Sequence, residues 1–265
     1  MENTALLTEG TSSLGYELSK LLAKDGYNLF LVSNDEAKLR KMASEIEDKY
    51  AIRTKVFPID LSNPDSVKKI YQSIQINSVE VDILINNAEL TIEGNFYYLE
   101  REKKLEILNV NLNSMLNLSN LIMQDMIYKK RGKIFNITPL KSFLPSPGEA
   151  IYGACKSFVH SFSESMAEEL KDFGIQVSVL CYGPMDSESN FLKVKDIFNF
   201  AMTTEMVAKE AYNSFKNGET LIVPGFINEI MVYPLRLSPG WLYRKFLSLM
   251  YKPIKNGKKE VVKQA

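Results

Sequence analysis

A chain of 265 residues, 45% hydrophobic and 24% charged, has the size and balance of one globular α/β domain with a substantial core. Its 32 basic and 32 acidic residues cancel, which argues against a nucleic-acid partner. Two cysteines without metal-ligand spacing and a single histidine argue against a disulfide framework, a metal site and a Ser/His hydrolase.

The start, MENTALLTEG, has neither a basic region nor a long apolar run, so no signal peptide is expected. No apolar stretch is long enough to span a bilayer. A cytoplasmic location is the resulting expectation. Ala5–Thr8 reads as a buried strand that runs into Glu9–Gly15. Leu14, Leu18, Leu21 and Leu22 then mark a helix face. Asn28–Ser33 is a second strand, and Asp35–Tyr50 a charged amphipathic helix with Asp35 as its N-cap. Thr54–Ile59, Val81–Asn86, Lys133–Thr138, Gln176–Cys181 and Leu221–Val223 are the remaining strands. Asn63–Ile76, Glu100–Met126, Ile151–Phe173 and Thr203–Lys216 are the remaining helices, the last capped by Thr203. This alternation predicts a doubly wound parallel sheet in three α/β/α layers, with residues 1–225 as the domain and 226–265 as an extension.

The stretch with most chemistry runs from Lys133 to Lys156. Tyr152 and Lys156 are four residues apart, so they share a helix face. A tyrosine alone, with a pKa of about 10, is a poor acid at neutral pH. A nearby ammonium stabilises the phenolate and lowers that pKa. Such a Tyr beside a loop at the carboxyl end of a strand is a candidate proton donor to a carbonyl oxygen. Other motifs follow other strands: Thr8–Gly15, Asp60–Leu61, Asn86–Asn87–Ala88–Glu89 and Tyr182–Ser187. All lie at carboxyl ends, where a doubly wound sheet binds ligands.

From about Leu6 to Gly225 these motifs, in this order, resemble the short-chain dehydrogenase/reductase family. The resemblance implies a Rossmann-type fold and a nicotinamide cofactor. It makes Tyr152 the proton donor and has Lys156 bind the nicotinamide ribose and tune Tyr152. Asn111, in NVNLN, would hold a water in the proton relay. Gly10, Thr11, Ser12, Ser13, Leu14 and Gly15 would line the pyrophosphate loop. Ser33, Asn34, Asp60 and Leu61 would line the adenosine end. Asn87, Ala88, Gly183, Met185 and Ser187 would complete the cofactor site. Asp60 reads equally as a turn residue. Ser33 and Asn34, with Lys38, tolerate a 2′-phosphate better than an acid would, so the reading leans to NADP over NAD.

Five positions depart from the family pattern, one of them Tyr182, which stands where it has proline. Glu9, Ser13 and Glu89 stand where it has glycine, and Pro139 stands where it has the serine that holds the substrate oxygen. Two added carboxylates weaken or abolish cofactor binding, and Pro139 offers no hydroxyl. Gly10 is a candidate to rescue the turn, and Thr138 or Ser142 to replace the serine. The leading reading is an NAD(P)-dependent oxidoreductase of a hydrophobic small molecule, slowed by these changes. The alternative is a protein of the same fold that binds a ligand or partner without hydride transfer and holds no cofactor. Phe191, Leu192, Ile197, Phe198, Phe200 and Met202 would form a lid over the substrate. The tail mixes apolar and basic residues. Packing over the pocket with a solvated Lys end is preferred to a basic surface lying on an anionic membrane. The resemblance also implies a homodimer or homotetramer.

Overall fold

The structure is a computed structural model that describes residues 3–77, 79–185, 202–230 and 261–264. In chain order the strands are β1 (Thr4–Thr8), β2 (Asn28–Ser33), β3 (Thr54–Pro58), β4 (Ile83–Asn86), β5 (Leu90–Glu93), β6 (Gly132–Pro139), β7 (Ile175–Tyr182), β8 (Leu221–Ile222) and β9 (Val261–Gln264). The helices are α1 (Ser13–Lys24), α2 (Glu36–Tyr50), α3 (Ser66–Ile76), α4 (Arg101–Leu108), α5 (Ser114–Lys129), α6 (Ala150–Leu170) and α7 (Thr204–Lys216). Seven strands form one sheet in the order β3-β2-β1-β4-β6-β7-β8, every neighbouring pair parallel. This is the Rossmann-type sheet that the alternation predicts.

Alternation along each strand divides the core into two layers. Ala5 and Leu7 face one side with Leu18, Leu22, Leu39, Ile46 and Phe215 of α1, α2 and α7. Leu6 faces the other with Ile70, Ile74, Leu118, Ile122 and Leu170 of α3, α5 and α6. Helix ends follow the sequence. Asp35 accepts from the Lys38 N–H at 3.0 Å, and Thr203 from the Met206 N–H at 3.2 Å. Cys155 and Cys181 are buried thiols, not joined in a disulfide.

Two features depart from the sequence reading. The expected helix Glu100–Met126 is interrupted by a π-helical turn, Asn109–Asn113. Within it Asn111 is buried, and its side-chain amide donates to the Ile107 carbonyl at 2.9 Å and also reaches β5. It accepts from the Leu90 N–H at 3.2 Å and donates to the Leu90 carbonyl at 2.7 Å. That clasp fixes β5, whose Leu90 and Ile92 pack with Ile107, Val110 and Tyr152. The second feature is β9, which pairs antiparallel with β5, where a solvated end was expected. Among the described residues no helix is long and apolar enough to cross a membrane.

Strand order reverses between β1 and β4. The segments after Thr8 and after Asn86 therefore meet at the carboxyl edge of the sheet, where an open α/β sheet forms its ligand crevice.

Candidate active site

Helix α6 carries Tyr152 and Lys156 into this crevice, both almost fully buried. The Lys156 Nζ lies 5.5 Å from the Tyr152 ring centroid. Between them stands Glu89, three residues beyond the end of β4. Its Oε1 accepts from the Tyr152 hydroxyl at 2.7 Å. Its Oε2 accepts from the Tyr182 hydroxyl at 3.2 Å and pairs with the Lys156 Nζ at 3.2 Å. Burial opposes the charge on Glu89, but Lys156, the Tyr152 hydroxyl and Lys141 outweigh it and hold the carboxyl below its ordinary value. Tyr152 behaves contrary to the sequence expectation. Burial first, then the Glu89 charge, push its phenol well above the ordinary tyrosine range. The lysine that should lower it is engaged by the carboxylate.

Pro139 ends β6, and neither candidate replacement hydroxyl is directed at Tyr152. Thr138 donates to the Lys156 carbonyl at 3.3 Å, on the opposite side of its strand from residue 139. Ser142 contacts the Cys181 Sγ at 3.8 Å. The hydroxyl that does reach the site is that of Tyr182. From sequence Tyr182 reads only as a departure from the family's proline, because its reach depends on strand register. Asn111 and Lys156 line one cavity of about 10 Å³, with Thr8, Asn86 and Ser114. That volume suits a single water.

The loop after β1 is held by its own side chains. Glu9 itself takes the left-handed backbone, φ 51°, that a glycine would adopt freely. Gly10 does not rescue the turn. Its φ is not positive, and an added Cβ would make only ordinary contacts with Leu7, Leu31 and Met42. Glu9 turns its carboxylate to Thr11 and Ser33, each at 3.3 Å, and these two hydroxyls lie 2.6 Å apart. Burial raises the Glu9 pKa, and Asp60 adds to the rise, against hydrogen bonds from Thr11 and Ser33 and the charge of Lys38. Ser12 caps α1 by accepting from the Gly15 N–H at 3.0 Å. Asn87 ties the loop down by donating to Ser12 Oγ at 2.9 Å and to the Glu9 carbonyl at 3.1 Å. The Asn87 and Ala88 N–H groups both donate to Thr8. Gly15 is required by packing, since a Cβ there would lie 2.4 Å from the Glu9 carbonyl oxygen.

The remaining positions divide. Ser13 is exposed at the start of α1, whereas Leu14 packs in the core. Asn34 is exposed next to buried Ser33. Asp60 accepts from the Ser62 N–H at 2.8 Å, the turn role, while Leu61 is buried. Gly183 lies against the Asn228 amide, and Met185 is buried and bridged to Met202. Ser187, the lid residues 191–200 and most of the tail lie outside the described residues.

Residues 3–196 match the family profile described as short chain dehydrogenase. The chain is 33% identical to the very-long-chain 3-oxoacyl-CoA reductase of Bos taurus over 249 residues, covering 91% of this chain and 77% of the relative. It is 34% identical to the reductase of the same name from Laccaria bicolor over 180 residues, 66% of this chain and about half (53%) of the relative's length. A solved short-chain dehydrogenase from Sphingobium yanoikuyae, in complex with NADPH, superposes with a TM-score of 0.75 at 22% identity, covering 98% of this chain and 100% of that one. With a Tyr–Lys pair at the carboxyl edge of a doubly wound sheet and a profile match over most of its length, the chain belongs to the short-chain dehydrogenase family.

Proposed function

We propose that this protein is an NADP(H)-dependent carbonyl reductase of a hydrophobic substrate. Long-chain 3-oxoacyl thioesters, the class that the relatives' names state, are the first to test. The observation that carries the reading is the convergence of the Tyr152 hydroxyl and the Lys156 ammonium on one buried oxyanion at the switch point. The donor set fits a nicotinamide dinucleotide: a lysine for ribose hydroxyls and a phenol for a carbonyl oxygen, beside the N-terminus of α1. When bound, that cofactor supplies the hydride.

Tyr152 gives its proton to the substrate oxygen. Lys156 holds the ribose and stabilises the phenolate left behind. Asn111 and the one-water cavity it shares with Lys156 support a water-mediated return of the proton. All of this requires Glu89 to turn out of the cradle, since its carboxylate takes the donors that substrate and ribose would use. Ser33, Asn34 and Lys38 favour NADP(H), in keeping with the NADPH of the Sphingobium protein. Glu9 limits affinity by placing a carboxylate beside Ser33.

A fold that binds without hydride transfer is the second reading, favoured by Glu89 seated on Lys156. The reductase names of the relatives favour the first. Oxidation of NADPH with a long-chain 3-oxoacyl thioester, with Tyr152→Phe as control, separates them. We also assign self-association to α5 and α6, whose shared groove of about 290 Å³ is lined by Leu116, Met123, Phe162 and Met166.

A further inference from the structure

We propose that Tyr182 is a catalytic residue, whose hydroxyl takes the place of the one missing at Pro139 and, with Tyr152, holds the substrate oxygen. The assignment rests on the reductase reading.

Pro139 and Tyr182 are the last residues of neighbouring strands β6 and β7, and they are register partners. Register partners on parallel strands point to the same face of the sheet. Strands lie about 4.8 Å apart, a gap that a phenol spans and a serine hydroxyl does not. The Tyr182 ring is buried in the core layer, so its hydroxyl is held in place. The Tyr182 hydroxyl donates to Glu89 Oε2 at 3.2 Å and the Tyr152 hydroxyl to its Oε1 at 2.7 Å, the two oxygens of one carboxylate, close enough for both phenols to reach a single carbonyl oxygen in its place. The carboxylate stands in for an oxyanion at the reacting centre, and two phenols address it. Thr138 and Ser142 direct their hydroxyls elsewhere. In the reduction, Tyr152 transfers the proton. Tyr182 donates a hydrogen bond to the same oxygen and keeps its proton, so the atom balance is that of the parent reaction.

The test opens the cradle with Glu89→Gly and uses two readouts. The first is acetate binding by calorimetry, which needs no turnover. The second is NADPH oxidation with a long-chain 3-oxoacyl thioester. Adding Tyr182→Phe, which keeps the buried ring, is expected to weaken acetate roughly tenfold or more. It should lower kcat by about 10²–10³ and leave the NADPH Kd unchanged. Adding Pro139→Ser to that double variant should recover part of kcat. Turnover and acetate binding that both ignore Tyr182→Phe would overturn the assignment while the reductase reading stands. A Glu89→Gly protein that binds NADPH and turns over nothing would overturn the reductase reading, and the catalytic role of Tyr182 with it.

Discussion

Glu89→Gly is the substitution with the largest expected consequences, and they run in opposite directions. The Lys156 side chain is 2% exposed and that of Glu89 13%, so their pair is desolvated on nearly all sides. Removing one partner of such a pair leaves a buried charge uncompensated and costs about 3–5 kcal/mol. The exposed edge of Glu89 places this case at the lower end, about 3 kcal/mol. For a chain of this size that lowers Tm by roughly 6–12 °C. On the proposed reading the same interaction should subtract from cofactor affinity in the wild type, because Glu89 would have to leave Lys156 before a ribose could reach it. Without it NADPH should bind roughly a hundredfold more tightly, at tenfold per 1.4 kcal/mol. Thermal unfolding and calorimetric titration of the two proteins measure both effects. A variant that melts with the wild type and binds NADPH no better would refute the placement of Glu89 as the group that closes the site.

Other expectations follow from the same geometry. Glu9→Gly relieves a left-handed backbone of about 1–2 kcal/mol, so the variant should melt several degrees higher and bind NADPH more tightly than the parent. The two glutamates should titrate with opposite signs. The folded pKa of Glu89 is depressed, so its stabilisation is complete above the ordinary carboxyl value and is lost as pH falls through the depressed one. The stability gap between wild type and Glu89→Gln should therefore close in acid. The folded pKa of Glu9 is raised, so its charge destabilises above that raised value and not below the ordinary one. Glu9→Gln should stabilise at neutral pH and lose that advantage in acid, as denaturant melts across pH would register. Tyr152→Phe should lower carbonyl reduction by about 10²–10⁴ while the protein still folds.

The sheet was legible from sequence because its strands are short apolar runs separated by amphipathic helices, and each alternation was strong. The caps at Asp35 and Thr203 were legible because capping depends on neighbours three residues away. The Tyr152–Lys156 pair was legible for a similar local reason. What was not legible depends on distant contacts. The π-helical turn carries Asn111, whose amide clasps Leu90 of β5, and β5 pairs with β9. Glu89 and Tyr182 read as two separate departures, yet they are one hydrogen-bonded unit across 93 residues of chain. Sequence placed Glu89 near the cofactor cleft. It could not show that the carboxylate would take the hydroxyls of Tyr152 and Tyr182, nor that this would reverse the expected shift of the Tyr152 phenol.

The central claim is that a competent reducing centre lies behind Glu89. The most direct measurement is NADPH oxidation by Glu89→Gly protein in the presence of a long-chain 3-oxoacyl thioester, with the Glu89→Gly, Tyr152→Phe double variant beside it. The account predicts turnover in the single variant, faster than in the wild type, and its loss in the double. Tight NADPH binding by Glu89→Gly with no oxidation, or oxidation equal in both variants, would contradict it.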